Sequence, residues 1–340
     1  MAVRVVCFVK PLGNVARVSP RLRVIALVVV AAVAAAGATV GITELTKTET
    51  GPTAAVVKPR RGAPPLALDL GVRTDSEARA LRRAAVLYEK GKRREAGRIF
   101  SRYSSLQAQL GGAFASWPDS LDAVQALARD HPRSAVAQLD LGLVLFWTGR
   151  NAEAVAAWQT AVRVDPDSDA AVRADDLLHP NFAQGLPVFV PSFGPPAALA
   201  RLSPPTQLAY LARRAAAGGV RARLLYGVAL QRLGRQLSAE LQYASAAATA
   251  PNDAEAQVAA AVGLFDKVHP ERAFSRLGPL VKTFPHAPTV RFHLGLLLLW
   301  TGRLDQAKRE LIQAEKEGPK TPLGREAGLF LLRLASLRTM

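Results

Sequence analysis

Cysteine is almost missing from this chain: Cys7 is the only one in 340 residues. That excludes an intrachain disulfide and any cysteine-cluster zinc or iron–sulfur site, so stability has to come from packing. Aromatic residues amount to only 6% although 49% of residues are hydrophobic, which leaves Ala, Leu and Val as the bulk of the core. Ala, Leu and Arg are among the best helix formers, and an all-α fold is expected. Catalytic signatures are missing too. No G-x-S-x-G, phosphate-binding loop or dinucleotide fingerprint occurs, and His131, His179, His269, His286 and His293 form no i, i+4 pair and no H-E-x-x-H. The histidines read as polar residues of turns and helix ends, and no catalytic residue, cofactor or metal is implied. Asp165, Asp167, Asp169 and Asp176 match positions 1, 3, 5 and 12 of a calcium loop. Ala170 stands where that loop requires Gly and Arg173 would oppose a cation, so a turn is the expected reading.

Acidic residues are outnumbered, 27 against 44 Lys and Arg, for a net charge of +17. The arginines are scattered, which reads first as a general compositional bias and second as affinity for an anionic membrane or envelope surface; nucleic acid ranks below both. Residues 24–42 run for 19 positions without any charge, about 28 Å as a helix and so long enough to span a bilayer. Arg4, Lys10, Arg17, Arg21 and Arg23 precede the run with no acidic residue among them, while Glu44 and Glu49 follow it. The expected organisation is a basic cytoplasmic N-terminus over 1–23, one transmembrane helix over 24–42 acting as a signal anchor, a flexible linker over 43–76, and an extracytoplasmic domain over 77–338. Small residues at 34–38, AAAGA, keep a cleaved signal peptide as the alternative.

The stretch LGLVLFWTGR, 141–150, returns as LGLLLLWTGR at 294–303. In the first copy Gly142 is followed by Gly149, Ala154, Trp158, Ala161 and Pro166; in the second Gly295 is followed by Gly302, Ala307, Leu311, Ala314 and Pro319. Stepping back 34 residues from Gly295 meets Ala261, Ala273, Leu277 and Pro285, and a further 34 meets Gly227, Gly234, Ala239, Tyr243, Ala246 and Pro251. Small residues at these points let two antiparallel helices approach, the large one fills the space between them, and proline ends the second helix. This order and period resemble the tetratricopeptide repeat (TPR). Units are expected at 135–168, 220–253, 254–287 and 288–321, with looser ones over 77–106 and 107–133 and a closing half-repeat begun by Thr321 and Pro322. The expected fold is therefore an all-α solenoid of TPR-like helix pairs, preceded by the transmembrane helix and linker.

The resemblance implies a non-catalytic scaffold that binds a protein or peptide in a concave groove lined by the first helix of each unit. The positions that would form this groove are Val136, Leu139, Leu143 and Phe146, then Leu224 and Val228, then Val258, Val262 and Phe265, then Phe292, Leu296 and Leu299. Such a lining is unusually apolar for an open surface. The proline-rich insertion at 180–203 offers a cover in Leu186, Val188, Phe189, Val190 and Phe193, and packing of LPVFVPSF on the groove as a plug is expected; a mobile docking loop or a plain bridge are the other readings. Two further functions stay open at this point: an exported enzyme subunit with its site at 180–203, and a cytoplasmic nucleic-acid binder of reversed topology.

Overall fold

The computed structural model describes residues 60–336, so the expected cytoplasmic segment and the membrane helix at 24–42 lie outside the described residues. Among the described residues there are fifteen α-helices, no strand, and no helix long and apolar enough to cross a membrane. Three helix pairs come first: α1 (Ser76–Glu89) with α2 (Arg93–Phe100), α3 (Leu106–Ala115) with α4 (Leu121–Asp130), and α5 (Ala135–Trp147) with α6 (Asn151–Val164). The single helix α7 (Asp169–Leu178) closes this set. An irregular stretch with a 3-10 turn at Ala197–Arg201 leads to the unpaired helix α8 (Pro204–Ala216). Three more pairs follow: α9 (Val220–Arg232) with α10 (Gln236–Thr249), α11 (Ala254–Gly263) with α12 (Glu271–Thr283), and α13 (Pro288–Trp300) with α14 (Leu304–Glu317). Helix α15 (Pro322–Ser336) closes the second set as α7 closes the first.

The expected 34-residue phase holds in the second half, where α9, α11, α13 and α15 begin at 220, 254, 288 and 322. Local chemistry sets many of these starts. Ser105, Ser134, Ser168 and Asp253 each accept a hydrogen bond from the backbone N–H three residues on, satisfying one of the donors a helix N-terminus leaves free. Thr321 does the same for Gly324 at the head of α15. The repeated phrase performs two jobs. A Cβ on Gly142 would stand 2.3 Å from the Trp158 indole nitrogen, so the α5–α6 contact admits no side chain there; Gly149, past the end of α5, adopts φ +86°, which only glycine takes without strain. Gly295 and Gly302 repeat both roles against Leu311.

First helices touch the next first helix along the stack, α9 with α11, α11 with α13 and α13 with α15, and this places them on the inner side of the curve. The buried residues fall into two clusters, one from Ala67 to Ala174 and one from Ala183 to Leu334. Each half thus has its own core. At the seam between them Asp167 accepts hydrogen bonds from the Ser238 backbone and hydroxyl, and Asp176 of α7 pairs with the fully buried Lys267 in the α11–α12 connection.

Candidate functional site: two strapped inner faces

All eleven residues expected to line the concave groove are buried: Leu139, Leu143, Phe146, Leu224, Val228, Val258, Val262, Phe265, Phe292, Leu296 and Leu299 are between 0% and 6% exposed. Val136 is likewise 6% exposed. The inner faces on which they lie are filled by the chain itself. The physical reason is the one that made the lining conspicuous: so much apolar surface is stable only when something covers it.

On the second half the cover is the insertion, as a strap over 183–194. Phe189 is fully buried, stacked on His293 at 5.0 Å between ring centres and edge-on to Tyr243 at 5.7 Å. Leu186, Val190 and Phe193 pack on the same core from the rim. On the first half the cover is a stretch read from sequence as part of a flexible linker over 43–76. Its described part is instead a second strap, residues 60–71, with Ala67 and Leu70 buried and Ala63, Leu66 and Leu68 half-buried on the α1–α7 core. Arg60 sits 3.7 Å over the Phe146 ring, and its N–H donates to the Trp147 carbonyl.

Both straps are held in one register by side chains that bond their backbone. The Pro64 carbonyl accepts from the Tyr88 hydroxyl at 2.7 Å, and the Pro187 carbonyl accepts from the Gln231 amide at 3.5 Å. The Ala67 N–H donates to Asp140 Oδ1 at 2.9 Å, and the Val190 N–H donates to His293 Nε2 at 2.9 Å. The Asp69 N–H donates to Gln107 Oε1 at 3.0 Å, and the Ser192 N–H meets the Glu255 carboxylate at 3.1 Å. In each couple the two strap residues are 123 positions apart. The anchors correspond as well. Tyr88 and Gln231 come three residues before the left-handed glycines Gly91 and Gly234, Gln107 and Glu255 are the second residues of α3 and α11, and Asp140 and His293 each stand immediately before the repeated phrase. The described residues therefore form two copies of one module, a strap followed by three helix pairs and a closing helix, with α8 added in the second.

Burial governs the electrostatics of these anchors. His293 donates from Nδ1 to the Thr289 carbonyl at 2.7 Å, which leaves Nε2 unprotonated to accept from Val190; burial pushes the imidazole down to about 4 and keeps this neutral form. His293 thus differs from the helix-end role expected of it, since it sits inside α13. Asp140 has burial driving its carboxyl well above the usual range, opposed by the Ala67 N–H and by Arg173. Burial also raises Glu255. The aspartates at calcium-loop spacing do not converge: Asp167 turns to Ser238, Asp169 pairs with Arg173 at 2.8 Å, and Asp176 pairs with Lys267 and accepts from the Gly185 N–H. Among the described residues no three His, Cys, Asp or Glu side chains are grouped to hold a metal ion. Asp176 and Lys267 pair with each other, while Glu255 meets the Ser192 N–H and His293 the Val190 N–H, so these groups are spread along the insertion and not gathered at one point.

Six backbone bonds that clamp extended chain onto stacked helix pairs define a helical-repeat module whose inner face grips polypeptide. Residues 136–168, which span α5 and α6, match the tetratricopeptide repeat family, so the array carries a repeat of that type. Among solved structures the chain is similar to a tetratricopeptide repeat protein from Parabacteroides merdae ATCC 43184, with 12% identity and a TM-score of 0.32 over 76% of this chain and 99% of that one. No curated protein matches the sequence.

Proposed function

We propose that the chain is a non-catalytic TPR-type scaffold that holds a protein partner, carried on a membrane by residues 24–42 with its repeats on the extracytoplasmic side. One observation carries the scaffold reading: both inner faces engage extended polypeptide, and they do so through its backbone N–H and C=O groups. A surface with that chemistry suits a protein ligand better than a small molecule or nucleic acid.

The membrane reading rests on the uncharged run at 24–42 and the five basic residues before it. A reporter active only outside the cytoplasm, fused after Met340, is expected to be active, and the protein to resist alkaline extraction from membranes. An inactive reporter would reverse the topology and revive nucleic acid as a ligand. Release of a shortened chain into the soluble fraction would establish cleavage and remove the tether.

A further inference from the structure

The two straps are not held equally well. Strap 183–194 presents Leu186, Phe189, Val190 and Phe193 to its core, and the carbonyl of Gly185 accepts from the Trp300 indole at 3.4 Å. Strap 60–71 offers Ala63, Leu66, Ala67 and Leu70 at the corresponding places, which are smaller side chains burying less apolar surface. It also leaves polar groups of its face unmatched. Asp140 is wholly buried, yet among the described residues its Oδ2 has no hydrogen-bond partner, and the indole nitrogen of Trp147, the counterpart of Trp300, has none either. Unmatched buried polar atoms are costly, so a segment that satisfied them would bind better than the strap does. Residues 72–75, after Gly71, join strap 60–71 to α1 and form a short tether between the strap and its module.

We infer that the inner face of the first module is an exchangeable binding site, and that strap 60–71 is a tethered stand-in displaced by an extended apolar segment of a partner protein. This deepens the scaffold reading above and rests on it. The shared register specifies the ligand. It carries a glycine, a proline two residues later whose carbonyl meets Tyr88, and free backbone N–H groups five and seven residues after the glycine to meet Asp140 and Gln107. Apolar side chains fill the places of Leu66 and Leu70. A tether this short holds the strap at an effective concentration on the order of millimolar, so a partner has to outcompete it or meet it already released.

The test uses the full-length protein and a fluorescent synthetic peptide of residues 60–72. Ala67→Pro removes the N–H that bonds Asp140 and leaves the face intact. The variant is expected to bind the peptide at least tenfold more tightly than the natural chain, to lose that gain when Asp140→Leu is added, and to release the label to an unlabelled peptide of residues 183–195, which shares the Gly-x-Pro register. Should Ala67→Pro fail to fold, a protease site placed at 72–74 and cut in the otherwise natural chain gives the same reading. Loss of amide protection across 62–71 with no gain in peptide binding would overturn the inference, making the strap a structural part. Strap-released protein that becomes a dimer would overturn it too, since the occupant would then be a second copy. Neither result touches the scaffold reading, which fails instead if site-specific crosslinkers over the rest of the repeats capture no partner in cells that produce the protein.

Discussion

Acidification should loosen the second module through one imidazole. His293 accepts the Val190 N–H, and protonating Nε2 would turn two donors toward each other inside the core. Its pKa lies at about 4 in the folded state against 6.5 unfolded, so between these values the unfolded chain binds more protons and stability rises with pH. The contribution is complete above 6.5 and is lost as the pH falls toward 4. The full difference is worth about 3 kcal/mol, of which about 2 kcal/mol disappears between pH 7 and pH 5. That corresponds to roughly 4–8 °C in melting temperature for a module of this size. His293→Gln retains an acceptor and does not titrate. The natural chain should therefore show a steeper loss of stability from pH 7 to pH 5 than the variant, by the amount above, with Asp140, Asp176 and Glu255 cancelling in the comparison. The protection of the Val190 amide from hydrogen exchange, corrected for the intrinsic rate at each pH, should fall in the same window in the natural chain alone. Parallel pH profiles for the two proteins would refute the reasoning, because they would mean that His293 does not hold the strap in its neutral form.

Two further substitutions probe the stack. Gly295→Leu begins with a Cβ placed 2.9 Å from Leu311 Cγ and should cost about 1–3 kcal/mol, with hydrogen exchange quickening first across 288–336; unchanged exchange there would discredit the repeat phase. Lys267→Met leaves Asp176 inside with only the Gly185 N–H to meet it and should cost about 3 kcal/mol in urea melts, while adding Asp176→Leu should recover most of the loss; no recovery would show that the ion pair is not what joins α7 to the second module.

Helix pairing was legible because its causes are local and periodic. Gly142 against Trp158 and Gly227 against Tyr243 recur at fixed spacing, and a serine or aspartate marks many inner-helix starts. The plug over the second half was legible too, from the aromatic and aliphatic side chains of LPVFVPSF. Its twin was not. GAPPLALDLG carries no aromatic residue and no helical period, and it shares with GLPVFVPSFG only the two terminal glycines and one proline. Its anchoring is through backbone groups, which leave no trace in side-chain identity, and the acceptor for Ala67 lies 73 residues away. Asp140 and His293 occupy one position of one motif, yet an acid and an imidazole look unrelated until both are seen to be hydrogen-bond acceptors. The residues expected in the groove lie on the first helices of their pairs, and the segments that bury them are distant in sequence.

The straps also impose an order of events at the ribosome. Ala67 leaves the tunnel 73 residues before the acceptor it needs, and Val190 precedes His293 by 103. At 5–20 residues per second these gaps amount to roughly 4–15 s and 5–20 s, during which an apolar strip has been made and its seat has not. An extended hydrophobic segment waiting that long is a template for wrong pairing with other nascent chains. Pro64 and Pro65 in one strap, and Pro187 and Pro191 in the other, have no N–H to contribute to a β-ladder. The residues that shape the straps for their seats thus also keep them unpaired until the seats arrive.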